Sequence, residues 1–287
     1  FYFIYRNADQ TDKIHAAIEK LASGETSYKV DVNDFSSLEA ELAEGLNRIS
    51  DGLETALAEQ VKSERLKADL ITNVSHDIKT PLTSIINYVD LIKRQHIEDP
   101  TVQKYLEVLD QKSQRLKTLT EDLVEASRAS SGNIKLEITN IDFVELVQQT
   151  TGEFEEKYAI RHLEIVNTLP NEVIMIEADG RRLWRVLENL YNNAFKYALE
   201  GTRVYVTIED HGADVVFTIK NVSANPLNIS PDELTERFVR GDVSRTTEGS
   251  GLGLSIAKDL TTLQGGKFEL IIDGDLFKAQ ITFPIKN

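Results

Sequence analysis

The chain reads as two folds in series: an all-α helical hairpin that pairs with a second copy into a four-helix bundle, then an α+β two-layer sandwich. Three observations predict this. Apolar residues recur at helical spacing up to about residue 130, close to heptads between Leu38 and Leu66. Each of the two long helices then carries a single apolar stripe that the other cannot fully cover, which calls for a second copy. From about residue 133 the pattern shifts to short alternating runs interleaved with helices, the mark of strands covered on one side.

The elements follow in order. Residues near 8–22 form a short amphipathic helix (Ile14, Ala17, Ile18, Leu21), and a polar connector containing Gly24 runs from Ser23 to Asp34. Leu38, Leu42, Leu46, Ile49, Leu53, Leu57, Val61 and Leu66 then lead without a break signal into a long helix. Pro81 removes a backbone donor and crowds the carbonyl of Asp77, predicting a local bend. The turn-like stretch Gln95–Pro100 ends that helix. A second helix follows with Val102, Tyr105, Leu106, Leu109, Leu116, Leu119 and Leu123 on one face, fading near Ser130-Ser131-Gly132.

In the second half, strands are expected at 134–138, 163–166, 173–176, 204–208, 215–219, 268–272 and 277–283. Helices are expected at 143–158, 181–199 and 252–263, the last ended by Gly265-Gly266. Ser230-Pro231-Asp232-Glu233 is a capping box that opens a short helix from about Pro231 to Phe238. The polar stretch Asp242–Glu248 after it reads as a mobile segment.

Bulk composition narrows the chemistry. A chain of 287 residues holds about two domains. The net charge of −15 disfavours nucleic acid, which needs clustered Lys and Arg. Cysteine is absent, so disulfides and thiolate metal sites are excluded. His15, His96, His162 and His211 show no paired ligand spacing for a transition metal. No stretch approaches the roughly 20 apolar residues of a membrane span. The opening Phe1-Tyr2-Phe3-Ile4-Tyr5-Arg6 nevertheless looks like the cytoplasmic exit of one.

Three groups of residues carry candidate chemistry. On a helix advancing ~100° per residue, Ile71, Val74, Ile78, Pro81, Ile85, Val89 and Ile92 share one stripe, while His76 and Thr80 face away from it. A lone helical His is ordinarily a solvated surface residue. Beside the carboxylate of Asp77, however, a displayed imidazole can act as a nucleophile at neutral pH. In the helix at 181–199, Asn189, Asn193 and Lys196 share a face opposite Leu183, Val186, Leu187, Leu190 and Ala194. Two amides and an ammonium there can orient Mg²⁺-bound phosphates, amide oxygens being acceptable ligands for that hard cation. The run Gly249-Ser250-Gly251-Leu252-Gly253-Leu254 opens a helix, where glycines admit a phosphate to free N–H groups.

Together these residues resemble sensor histidine kinases. Asn73-Val74-Ser75-His76-Asp77-Ile78-Lys79-Thr80-Pro81-Leu82 is similar to the H box of the HisKA type, and Asn189–Tyr197 to the N box. Glu236–Asp242 is similar to the F box and Gly249–Leu254 to the G2 box. The match covers about residues 60–287. The resemblance implies an ATP-binding domain of Bergerat type and ATP-dependent autophosphorylation of His76, oriented by Asp77. Asn189 and Asn193 would place Mg²⁺, and Lys196, Tyr197 and Arg240 would contact phosphates or the lid. Gly249, Gly251, Leu252 and Gly253 would form the phosphate-side turn. The phosphoryl group would pass to an aspartate of a response regulator, and Thr80 would position a water for the reverse dephosphorylation.

The implied layout is residues 1–6 as the end of a membrane segment, 7–60 as a HAMP-like relay, 61–131 as the dimerisation and phosphotransfer domain, and 132–287 as the catalytic ATP-binding domain. The whole would be the cytoplasmic part of a bacterial membrane protein acting as a homodimer. One departure stands out. Where the family has Asp-x-Gly-x-Gly, this chain has Asn221-Val222-Ser223-Ala224-Asn225. The Asn221 oxygen can still accept from the adenine amino group, but the ionised acceptor is lost, worth roughly 1–2 kcal/mol. Two other readings follow: a silent dimeric adaptor, suggested by Asn221, and an ATP-driven clamp without phosphohistidine.

Overall fold

The computed structural model describes residues 2–35, 37–95, 97, 99–132, 134–236, 239 and 250–286. Arg240, Gly249, Phe238, His96 and Phe1 lie outside these, as does the expected mobile segment Asp242–Glu248. The structure divides into two compact units, residues 1–69 and 70–287. Among the described residues no helix is long and apolar enough to cross a membrane.

In the first unit, helix α1 (Tyr2–Ala22) and the start of helix α2 (Ser37–Lys93) enclose a small core of Ala17, Val30, Phe35 and Ala43. Gly24 turns the chain out of α1 at φ 97°. The connector is fastened by polar side chains within the heptad run. Asn47 takes the N–H of Val30 (2.9 Å) and donates to its carbonyl (2.9 Å). The buried Ser50 hydroxyl donates to the carbonyl of Thr26. The heptad residues Leu42, Ile49, Leu53, Leu57, Val61 and Leu66 stay exposed.

The second unit begins with the C-terminal part of α2 and helix α3 (Pro100–Ser130), which opens on Pro100 with Asp99 as N-cap, accepting from the N–H of Thr101 and Val102. The ion pair Lys93–Asp110 (2.7 Å) joins the two helices. Helical structure continues through Pro81. The expected stripe is covered only along one edge. Leu82 and Val89 are buried with Ser75, while Val74 (55% exposed), Ile78, Ile85 (49%) and Ile92 are open. Tyr105, Leu109 and Leu116 of α3 are open too. The reason is geometric: two helices bury a narrow seam, and the rest of a wide stripe needs further helices.

Strand β1 (Thr139–Asp142), helix α4 (Phe143–Ala159), strands β2 (Glu164–Thr168) and β3 (Met175–Ala178), and helix α5 (Gly180–Tyr197) follow. Then come β4 (Arg203–Asp210), β5 (Asp214–Val222), α6 (Pro231–Leu234), α7 (Gly253–Leu263), β6 (Lys267–Asp273) and β7 (Leu276–Pro284). The main sheet has the order β2-β4-β5-β7-β6, antiparallel except for β2 beside β4, and β1 pairs with β3 in a separate ribbon. The hairpin β4–β5 turns at Gly212, whose φ of 82° favours glycine. Alternate residues of the strands, among them Val206, Phe217 and Ile281, pack against Val147, Leu187 and Ile256 of the helices.

Two expectations are corrected. Residues 134–138 are not a strand, and strand β1 starts at Thr139. Its ladder ends at Thr139↔Ala178, because the partner chain turns there into α5. The N–H of Glu137 is taken instead by the Asp179 carboxylate (3.0 Å), which also caps α5. Helix α6 has the expected capping box of Ser230 and Glu233 but only four residues, Pro231–Leu234.

Candidate active site

Helix α5 is set by its ends and its apolar face. Asp179 accepts from the N–H of Arg182 (3.1 Å), and its own N–H donates to Oε1 of Gln264 (2.9 Å). Leu183, Val186, Leu187, Leu190 and Ala194 are fully buried, which turns Asn189, Asn193 and Lys196 the other way. At the far end, Arg161 of the loop after α4 donates to the carbonyls of Phe195, Lys196 (3.0 Å) and Ala198 (3.0 Å). Lys157 holds the side chain of Asn192 (2.6 Å), and burial pulls its ammonium below its ordinary range. Tyr191 lies beneath the helix against Thr151 (2.6 Å), and burial pushes its phenol up to about 12.

One cavity brings together Asn189, Asn193, Lys196, Tyr197, Asn221, Gly251 and Gly253, all expected from the sequence. Leu252 is not with them: its side chain is 1% exposed and packs in the core. Asn221 is 2% exposed. Its amide nitrogen donates to the carbonyl of Val222 (3.2 Å), and its oxygen has no partner among the described residues. The amide nitrogen of Asn189 also lacks one. A Cβ on Gly253 would come within 3.3 Å of the Asn189 oxygen, so glycine there keeps the turn close to the amide. Gly251 adopts φ 72°, which favours glycine. Two buried amide atoms without partners in one cavity mark places where a bound ligand supplies the missing bonds.

His76 stands on α2 with 81% of its side chain exposed, and its Nδ1 is 3.7 Å from Oδ1 of Asp77. It lines a second, wider cleft with Ser75, Glu125, Arg182 and Glu188; Asp77 and Thr80 lie outside that lining. Thr118 and Arg185 line both the cleft and the amide cavity.

Sequence reasoning missed the charged cluster between them. Arg185 contacts Asp122 (2.6 Å), Glu125 (2.9 Å) and Glu188 (2.5 Å), and Arg182 contacts Glu125 (3.1 Å). Burial pushes the Asp122 carboxyl up despite Arg185 and the Ser250 hydroxyl, which favour its ionised form. Burial opposes the Arg185 charge, yet bonds to Glu188 and Glu125 outweigh it and hold the guanidinium above its ordinary value. The sequence did carry a signal: two acids three apart on one helix and two arginines three apart on another.

Comparison with known proteins adds the decisive observation. Residues 66–132 match the His Kinase A (phospho-acceptor) domain. Residues 178–286 match the histidine kinase-, DNA gyrase B-, and HSP90-like ATPase. The chain belongs to the sensor histidine kinases. Sensor histidine kinase WalK of Bacillus subtilis is 28% identical over 237 residues, 80% of this chain and 39% of that protein. Sensor histidine kinase MtrB of Mycobacterium tuberculosis is 29% identical over 257 residues, 88% of this chain and 44% of that protein. Sensor protein VanS of Enterococcus faecium is 31% identical over 229 residues, 77% and 58% respectively. The sensor histidine kinase described here thus spans less than half the length of WalK and MtrB.

Among solved structures, full-length ShkA in complex with AMPPNP has a TM-score of 0.65 at 23% identity, covering 76% of this chain and 46% of that one. ThkA in complex with the response regulator protein TrrA has a TM-score of 0.53 at 24% identity, covering 81% and 67%. Both establish the fold of this sensor histidine kinase: a helical hairpin followed by an α+β sandwich. The ATPase match begins at Ala178, but β1 and α4 share the same core, so the folded domain extends further towards the N-terminus.

Proposed function

We propose that this chain is an ATP-dependent protein histidine kinase that phosphorylates His76 and passes the phosphoryl group to an aspartate on a response regulator. The adjacency of two cavities carries this reading. The amide-lined pocket and the cleft displaying His76 share Thr118 and Arg185. A terminal phosphate held in the first then has a short path to a nucleophile in the second.

The chemistry follows from the residues. With Nδ1 turned towards Asp77, Nε2 is the nitrogen left to attack. It forms a bond to the γ-phosphorus as the bond to the β-phosphate oxygen breaks and ADP leaves, while Asp77 takes the Nδ1 proton. Asn189 and Asn193 offer hard oxygen donors suited to Mg²⁺, whose charge offsets that of the phosphates when bound. Lys196, Tyr197 and Asn221 line the same pocket; the first two are read as contacting phosphates and the Asn221 oxygen as accepting from the adenine amino group. A committed Asn221 nitrogen with an unpartnered oxygen favours this over a silent adaptor.

The exposed apolar edges of α2 and α3 support a homodimer, burying against a second copy what one chain leaves open. Thr80, on the exposed side of α2, is read as positioning water for dephosphorylating the regulator. The helix–connector–helix of residues 7–60 is read as a HAMP-like relay following a membrane segment. Incubation with γ-labelled ATP and Mg²⁺ should give acid-labile label on the wild-type chain and none on His76→Gln. Label persisting on His76→Gln would refute the assignment.

A further inference from the structure

The amide-lined cavity is not made by the ATPase domain alone. Thr118 and Asp122 of α3 form part of its wall. Asp122 is 8% exposed, and both its oxygens are engaged. Oδ1 takes Arg185 (2.6 Å) and Oδ2 takes the hydroxyl of Ser250 (2.9 Å). Ser250 in turn accepts the N–H of Leu252 (3.2 Å) at the entry to α7. A carboxylate from the phosphoacceptor hairpin is therefore fastened to the glycine turn, the end of the cavity suited to an anion.

Charge makes this arrangement conditional. Asp122, Glu125 and Glu188 share the guanidiniums of Arg182 and Arg185, which places three carboxylates beside a pocket for a polyanion. At close range and partly out of water, like charges repel strongly. We propose that Asp122 is an autoinhibitory latch: it holds Ser250 and Arg185 where the nucleotide phosphates must bind, so docking of α3 on the glycine turn and nucleotide binding compete. The inference rests on reading the cavity as a nucleotide site. Displacement of Asp122 takes one of three carboxylates off the Arg185 guanidinium, which borders both the pocket and the His76 cleft.

The test uses the full chain with Asp122→Ala and, as a milder variant, Ser250→Ala. Alanine removes both acceptor oxygens and with them the bonds to Arg185 and Ser250. Without nucleotide, amide exchange over residues 120–129 and 250–256 should be faster in both variants than in wild type. Unchanged exchange in both overturns the latch. With Mg²⁺ and ATP, calorimetry should show Asp122→Ala binding tighter by roughly five- to tenfold. Equal or weaker binding by a variant of unchanged melting temperature also overturns it. If no form of the chain binds nucleotide, the kinase reading fails and the competition falls with it. Faster exchange in the variants would still separate that result from the absence of a latch.

Discussion

Asp122 and Ser250 lie 128 residues apart in the chain and are joined by a 2.9 Å hydrogen bond. One belongs to the helix after the proposed phosphoacceptor His76, the other to the turn that opens α7. That bond makes the environment of the cavity depend on the position of the hairpin, and the same cluster gives the docking a definite pH response.

The sign follows from the Asp122 shift. Its carboxyl is raised above the ordinary value when α3 is docked, with burial the leading cause. Docking is therefore strongest below the ordinary carboxylate range and weakens as pH rises through the raised value. The groups facing it are Arg185, Arg182 and Glu188 on α5, Glu125 on α3 and the Ser250 hydroxyl. Amide exchange over residues 120–129 should accelerate as pH rises above the ordinary carboxylate range, beyond its intrinsic base-catalysed rise. In Asp122→Asn that excess should vanish.

On the proposed reading, Asn221 sets the strength of base recognition. Its nitrogen is tied to Val222, so its oxygen alone faces the cavity. Asn221→Asp should tighten Mg²⁺–ATP binding by about tenfold, because a charged acceptor is stronger by roughly 1–2 kcal/mol. Asn221→Leu should weaken it by a similar factor. Titration calorimetry measures both, and an unchanged Kd in the two variants would remove Asn221 from the base site.

Arg161 supports the C-terminal end of α5, which carries Lys196 and Tyr197 of the proposed nucleotide pocket. Its guanidinium serves three terminal carbonyls next to Lys196 and Tyr197. Arg161→Ala should lower stability by about 2 kcal/mol and raise KM for ATP more than it lowers kcat. Arg161→Lys, without the planar fork, should restore only part of either. A loss confined to stability, with KM unmoved, would leave Arg161 a structural cap alone.

The open apolar edge of α2 predicts how the dimer fails. Val74 and Ile85 are 55% and 49% exposed in the single chain. Replacing either by Lys should weaken association by roughly 2 kcal/mol per site, and light scattering should show the double variant as a monomer. A double variant that remains dimeric would place the interface elsewhere.

Much of this was legible in the sequence, for physical reasons. Asn189, Asn193 and Lys196 could be put on one face because Leu183, Val186, Leu187 and Leu190 fix the opposite one. His76 could be put outside by the same periodicity. The capping box at Ser230 was readable because it is local, but its helix stops at Leu234, and no local rule specified where. Residues 134–138 alternate like a strand, yet a strand needs a partner, and Asp179 takes the backbone first. The Asp122 cluster joins residues more than fifty apart, so its members could be noticed in pairs but not assembled.

Ala126 and Ala129, near the end of α3, are buried in the same core as Phe143, Leu187 and Leu260. The two family domains of this kinase are thus welded rather than tethered along that stretch. A small side chain exchanged for a large one there would pry the modules apart without touching any reacting group. Transplanting the ATPase half onto a foreign hairpin would demand repacking of this seam, whereas a loose linker would have made such chimaeras easy.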